Sequence, residues 1–108
     1  MQLTRLITAL PAILDQLGGD VEVHNVIAYS RRVQPGDLFV AIPGIVADGH
    51  NFISKAVMRG AVAVVGERPP EELSGLPWGA FTYVRVPNAR EAWRSLREIW
   101  RDLEDSQE

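Results

Sequence analysis

The side chains in this chain that could do chemistry are few and scattered. Lys55 is the only lysine, and it stands in "ISKA" with no glycine before it. No phosphate loop of the form G-x-x-x-x-G-K-[ST] is therefore present, and the glycines give no G-x-G-x-x-G at a strand-to-helix junction. His24 and His50 lie in different segments with no ligand spacing between them, so structural or solvated roles are expected of both. Ser30, Ser54 and Ser74 lack the context of a nucleophile elbow. Glu71 and Glu72 fall in a polar, turn-rich connection. Cysteine is absent, which removes disulfides, thiolate catalysis and cysteine zinc sites together. The expectation is that these residues hold no complete active site and no metal.

One stretch is denser. "SRRVQPGDLFVAIPG", Ser30 to Gly44, combines a hydroxyl, two arginines, an apolar run and two Pro-Gly pairs. A serine hydroxyl before a turn can donate to a phosphate or ribose oxygen. A glycine-containing loop entering a helix exposes backbone N–H groups suited to an anion or a carbonyl. Plainer readings stand beside these. Ser30 fits a turn cap, and Gly36, Gly44 and Gly49 fit backbone geometry. Asp48 fits a brace within the loop, and Arg31 and Arg32 fit a solvated edge, with Arg31 paired to Asp37 or Asp48. Ile45, Val46 and Ala47 are apolar in a loop, which suits either a flat base or a turn covering the core.

The elements that position this stretch follow from periodicity. Leu3, Leu6, Ile7 and Leu10 make a helical stripe, resumed after Pro11 by Ile13, Leu14 and Leu17 and ended at Gly18-Gly19. "VEVHNVIAYS" reads as extended, and "VQPGD" as a tight turn. "DLFVAI", "AVAVVGE" and "FTYVRV" read as strands. Asn51 is placed to cap a helix over "FISKAVMRG", with Gly60 as its stop. The closing segment is the clearest helix: Asn88 caps it, Glu91 follows three residues on, and Ala89, Ala92, Trp93, Leu96, Ile99, Trp100 and Leu103 form one apolar stripe. Trp93 and Trp100 are expected in the core; Trp78, between proline and glycine, fits an interface residue or a lid. Alternating strands and helices predict an α/β domain with a small mixed sheet of about four to five strands and packed helices. The strands flanking "FISKAVMRG" should be parallel, and the two joined by the Pro-Gly turn antiparallel.

The chain has 108 residues and a formal net charge of -3, which fits a single soluble domain, residues 1–108. No basic block points to nucleic acid, no apolar segment is long enough to span a membrane, and the missing cysteines suit a cytoplasmic protein.

The residues also carry a resemblance. "SRRVQPGDLFVAIPGIVADGHNFISKAVMRGAVAVVGE" resembles the N-terminal domain of the Mur ligases, the cytoplasmic enzymes of peptidoglycan precursor synthesis. The family's Ser-Arg, Pro-Gly-Asp-Leu-Phe-Val-Ala, Asp-Gly-His and Gly-Ala stand here as Ser30-Arg31, Pro35 to Ala41, Asp48 to His50 and Gly60-Ala61, and "VRVPNAR" at Val84 to Arg90 is similar to the segment before the family's last helix. Tyr29 departs from the pattern, which usually has aspartate there. "AIPG" is most similar to the branch that adds diaminopimelate or lysine to UDP-N-acetylmuramoyl-L-alanyl-D-glutamate, with the D-alanyl-D-alanine-adding branch as the alternative. The resemblance implies that Ala28, Ser30, Ile45, Val46 and Ala47 bind the UDP moiety of that dipeptide substrate. It implies a central and a C-terminal domain as partners, with ATP and Mg2+ used there and none bound by this domain. ATP would phosphorylate the substrate carboxylate, and the incoming amine would attack the acyl phosphate. A non-catalytic interaction or regulatory module on the same fold is the other reading, since no phosphate loop follows in "DLEDSQE".

Overall fold

The computed structural model describes residues 1–44 and 47–105, with side chains described up to Arg101. The described residues form three helices and five strands, in the order α1 (Leu3–Ile7), β1 (Asp15–Leu17), β2 (Val26–Ile27), β3 (Leu38–Val40), α2 (Ile53–Met58), β4 (Ala63–Gly66), β5 (Thr82–Arg85) and α3 (Ala89–Asp105). Single 3-10 turns lie at Ser30–Arg32, Gly49–Phe52 and Pro70–Glu72. The strands form one sheet in the order β1-β5-β4-β3-β2. β2 through β5 are mutually parallel, and β1 alone runs antiparallel, with Leu17 opposite Tyr83.

β3 and β4 are apolar throughout because both faces of the sheet are covered there. Successive side chains alternate between the faces. Leu38, Val40, Ala63, Val65 and Val84 join Leu3 and Leu6 of α1 and Ala89, Ala92 and Leu96 of α3 in one core. Phe39, Val64 and Tyr83 pack with Ile53 and Ala56 of α2 and with Val33 in the other. α3 begins where expected: the Asn88 side chain accepts the Glu91 N–H at 3.0 Å. α2 stops at Gly60 (φ 107°), whose N–H donates to Val57 O while that of Ala61 donates to Ala56 O. That is the paired pattern of a helix closed by a left-handed glycine.

Four expectations are corrected. Residues 15–17 are an edge strand rather than helix, and Ile13 and Leu14 are exposed. Their apolar spacing did not mark a buried helical face, because β5 offers them a free edge: Leu14 N–H donates to Arg85 O at 2.8 Å. β2 and β3 are parallel, not a hairpin. The Pro35-Gly36 turn is where expected, with the Asp37 N–H on Gln34 O, but the chain has already travelled back along the sheet through Ser30–Arg32 and Val33. The turn therefore sits beside the start of β2, where His24 N–H donates to Gly36 O and Leu38 N–H to Asn25 O. Asn51 does not cap α2; a 3-10 turn precedes that helix, and Asp48 caps the turn by accepting the His50 N–H at 2.9 Å. Trp93 and Trp100 are only partly buried beside the core; Ala89, Ala92 and Leu96 hold the centre of the stripe. Trp78 is a lid, its ring centroid 5.3 Å from that of Phe81 and 5.8 Å from that of Tyr83.

Candidate functional site

Because β2 and β3 are parallel neighbours, the chain leaves both at the same end of the sheet. The carboxyl ends of parallel strands are where open α/β sheets take ligands. There the structure has a cavity of about 500 Å³. Phe39 and Ile42 wall it from β3 and its exit, and Ala28 to Arg31 from the exit of β2. Ala47 and Gly49 close it from the loop, and Phe52 and Lys55 from the start of α2. A shallower opening continues past Ser30, Arg31 and Lys55 to Met58 and Arg59.

The polar groups of this opening are unevenly engaged. Ser30 opens its 3-10 turn, but no side chain caps that turn, and the Ser30 hydroxyl has no hydrogen-bond partner among the described residues. The turn-cap reading is thereby excluded. Lys55 lies 5.7 Å from the Phe52 ring centroid, and Arg59 Nε donates to Val33 O at 3.2 Å. Among the described residues, Arg31, Lys55 and Arg59 have no carboxylate within ion-pair distance. Arg31 is not paired with Asp37 or Asp48: Asp37 accepts the Gln34 N–H, and Asp48 faces His50 and Arg68. The cavity thus offers apolar walls, a free hydroxyl and unneutralised cations on one side, a combination suited to a flat ring carrying an anionic group.

The loop that closes the cavity is held by a brace. Pro43 and Asp48 form a β-bridge, and Gly49 N–H donates to Ile42 O at 2.9 Å. A Cβ on Gly49 would come within 2.5 Å of Ile42 N, so the approach requires glycine. His50, buried, meets Asp48 Oδ1 through Nδ1 at 2.6 Å, and its Nε2 accepts the N–H groups of Glu67 at 2.8 Å and Arg68 at 3.2 Å. The acceptor role of Nε2 fixes the proton on Nδ1. Asp48 also pairs with Arg68. Burial pushes the Asp48 carboxyl up, but the His50 N–H, the His50 ring and Arg68 together outweigh it and hold it below its ordinary value. The Tyr83 hydroxyl, pushed up by burial, donates to Arg68 O, and the Glu67 carboxylate accepts the Ala89 N–H of α3 at 2.7 Å.

Of the residues singled out in the sequence, Ala28, Ser30 and Ala47 line one cavity. Ile45 and Val46 lie outside the described residues. Phe52 and Lys55 were missed as site residues. Their only signal was position: they begin the helix that follows the glycine loop.

A family model described as "Mur ligase family, catalytic domain" matches residues 22–93, more than half of the chain. The chain belongs to the Mur ligase family. Among curated Mur ligases, the UDP-N-acetylmuramoyl-L-alanyl-D-glutamate--2,6-diaminopimelate ligase of Chlorobaculum tepidum is 44% identical over 102 residues, covering 92% of this chain and 19% of that protein. The enzyme of the same name from Parabacteroides distasonis is 37% identical over 100 residues, with 93% and 20% covered. The Mur ligase fold is also met in solved structures. MurF from Acinetobacter baumannii superposes with a TM-score of 0.65 at 22% identity, over 86% of this chain and 19% of that one; this likeness speaks for the fold alone. MurF ligase from Thermotoga maritima in complex with ADP gives 0.55 at 28% identity, over 68% and 16%. The chain spans about a fifth of the length of the curated Mur ligases it matches. The family and the mixed α/β fold read from the sequence are both borne out.

Proposed function

We propose that this chain is the part of a Mur ligase that holds the UDP moiety of UDP-N-acetylmuramoyl-L-alanyl-D-glutamate, in an ATP-dependent, cytoplasmic amide ligase that adds diaminopimelate in peptidoglycan precursor synthesis. One observation carries the reading: the unpartnered Ser30 hydroxyl opens into the cavity at the carboxyl ends of β2 and β3, next to unneutralised Arg31 and Lys55. The relatives' names supply the substrate class. The ring of the base packs between Ala28, Ile42 and Ala47, Ser30 donates to a ribose or phosphate oxygen, and Lys55 and Arg31 face the diphosphate. Ile45 and Val46 remain in the proposed binding set by the resemblance. The chain's contribution is to anchor and orient.

Lys55 has no phosphate loop around it, and no described group of three His, Asp or Glu side chains could hold a metal. ATP, Mg2+, the central and C-terminal domains and the amide-forming step are assigned to the remaining four-fifths or so of the relatives' length. No described helix is long and apolar enough to cross a membrane. The D-alanyl-D-alanine-adding branch is the second reading, favoured by the MurF ligase of Thermotoga maritima at 28% identity and opposed by the names of the more similar relatives.

The test is an amide chemical-shift titration with UDP. Shifts should cluster at residues 28–31, 47–49 and 52–55. Loss of a hydroxyl bond costs about 0.5–1.5 kcal/mol, up to about 3 to a charged acceptor. Ser30→Ala should therefore weaken UDP several-fold to about a hundredfold with the fold intact. Shifts clustering elsewhere, or equal binding by Ser30→Ala, would overturn the assignment.

A further inference from the structure

A second concavity lies on the other side of Ile42, lined by Arg90, Arg94, Arg97 and Arg101 of α3 with Trp93 and Glu98. The spacings of four, three and four put the arginines on one helical face. At about 1.5 Å per residue they span roughly 16 Å. Neighbouring arginines on such a face repel each other, and the domain as a whole is acidic, with a net charge of -3. Among the described residues none of the four has a carboxylate within ion-pair distance, although Glu98 stands in the same groove.

Two of the guanidinium groups are held in place. Arg90 Nη2 donates to Pro43 O at 3.2 Å, and Arg97 lies 5.5 Å from the Trp93 ring centroid. These two ordered forks stand about two turns apart, with Arg94 between them, and arginine forks suit the paired oxygens of phosphate groups. The surface is concave rather than flat, which suits a compact ligand.

We infer that the arginine face of α3 is an anion-binding groove that takes a diphosphate-sized oxyanion, at a place separate from the Ser30 cavity and sharing only Ile42 with it. The four arginines supply the charge, the Trp93 ring supports Arg97, and Glu98 opposes the ligand and so weakens its hold. The source with this chemistry is a free oligophosphate, since the diphosphate of a nucleotide in the Ser30 cavity faces Arg31 and Lys55.

The experiment titrates the full chain with inorganic pyrophosphate, uridine and UDP, followed by amide shifts at low and moderate salt. Pyrophosphate should shift residues 90–101 saturably in the low millimolar range or below, more tightly at low salt. Arg94→Ala/Arg97→Ala should weaken it about tenfold to a hundredfold, and Glu98→Gln should tighten it several-fold. Gain on removing a carboxylate distinguishes the groove from a helix that has merely been damaged. UDP should shift residues 28–31 and residues 90–101 with two different midpoints, and Arg94→Ala/Arg97→Ala should remove only the second; one shared midpoint for both sets, displaced together by pyrophosphate, would overturn the separation of the two sites. Pyrophosphate binding that survives when UDP and uridine shift nothing near Ser30 would sink the nucleotide cavity and keep the groove. Shifts that stay linear to about 10 mM, or that ignore both variants, would show only diffuse counterion attraction and overturn the inference.

Discussion

Removing the His50 ring should be among the most damaging single changes available at the site, and its size can be worked from the brace. His50→Ala deletes the acceptor of the Glu67 N–H at 2.8 Å and of the Arg68 N–H at 3.2 Å, together with the contact to Asp48 Oδ1 at 2.6 Å. Each neutral bond contributes about 1 kcal/mol, and the one to a carboxylate about 1.5–3. Asp48 keeps the His50 backbone N–H and Arg68, which offsets part of the last term, whereas the vacated volume adds to the loss. The total is about 3–5 kcal/mol, a large share of the roughly 5–15 kcal/mol by which a domain is stable. Urea unfolding followed by tryptophan fluorescence reads it: the midpoint should fall sharply with the slope unchanged. Asp48→Asn should cost about 1 kcal/mol, and the double variant should fall short of the sum by more than about 0.5 kcal/mol, as members of one network do. A loss below about 1 kcal/mol for His50→Ala, or strict additivity, would refute the view that this brace holds the domain and not only its own loop.

Leu96→Ala, at the fully buried centre of the α3 stripe, should cost about 2–5 kcal/mol; Trp93→Ala, at its half-buried flank, should cost clearly less, and the order of the two urea midpoints checks this. Gly36→Ala should destabilise by more than about 1 kcal/mol, because φ is 93° and a Cβ would meet the His24 ring at 2.4 Å; a melting temperature within a degree or two of the parent would contradict it. Asp48 has its folded pKa lowered from the ordinary 3.8, so its contribution is fully present above about pH 3.8 and is lost as pH falls below that. Acid unfolding followed by circular dichroism should therefore lose its Asp48-dependent part in Asp48→Asn.

Features made by near neighbours could be read from the sequence. The Asn88 cap spans three residues, the Gly60 stop is set by one backbone angle, and the Pro35-Gly36 turn is closed by Gln34 and Asp37. Features made by distant partners were not legible. Leu14 and Leu17 looked helical because their strand partner is some seventy residues away in β5. The hairpin inferred from the Pro-Gly turn missed that Ser30 to Val33 had already carried the chain back, so β2 and β3 run together. Ser30 and Ala47 share a cavity because two parallel strands end at the same place. His50 offered no sign that it would serve amides 17 and 18 residues on. Phe52 and Lys55 offered only their place at the start of the helix after the glycine loop.

The strand order has a consequence for how the chain acquires its shape. From β2 to β5, each strand docks beside the one made just before it, so this part can assemble in the order of synthesis with short loop closures. β1 breaks the series. It is made before β2 yet pairs only with β5, with Asp15 opposite Arg85. Residues 1–4 already meet residues 20–23, but residues 15–17 must wait, unpaired, until almost the whole domain has emerged. We expect them to be the last part to lock in: Leu17→Ala should speed unfolding while leaving the refolding rate nearly unchanged, and a slowed refolding rate would instead place this far edge in the folding nucleus.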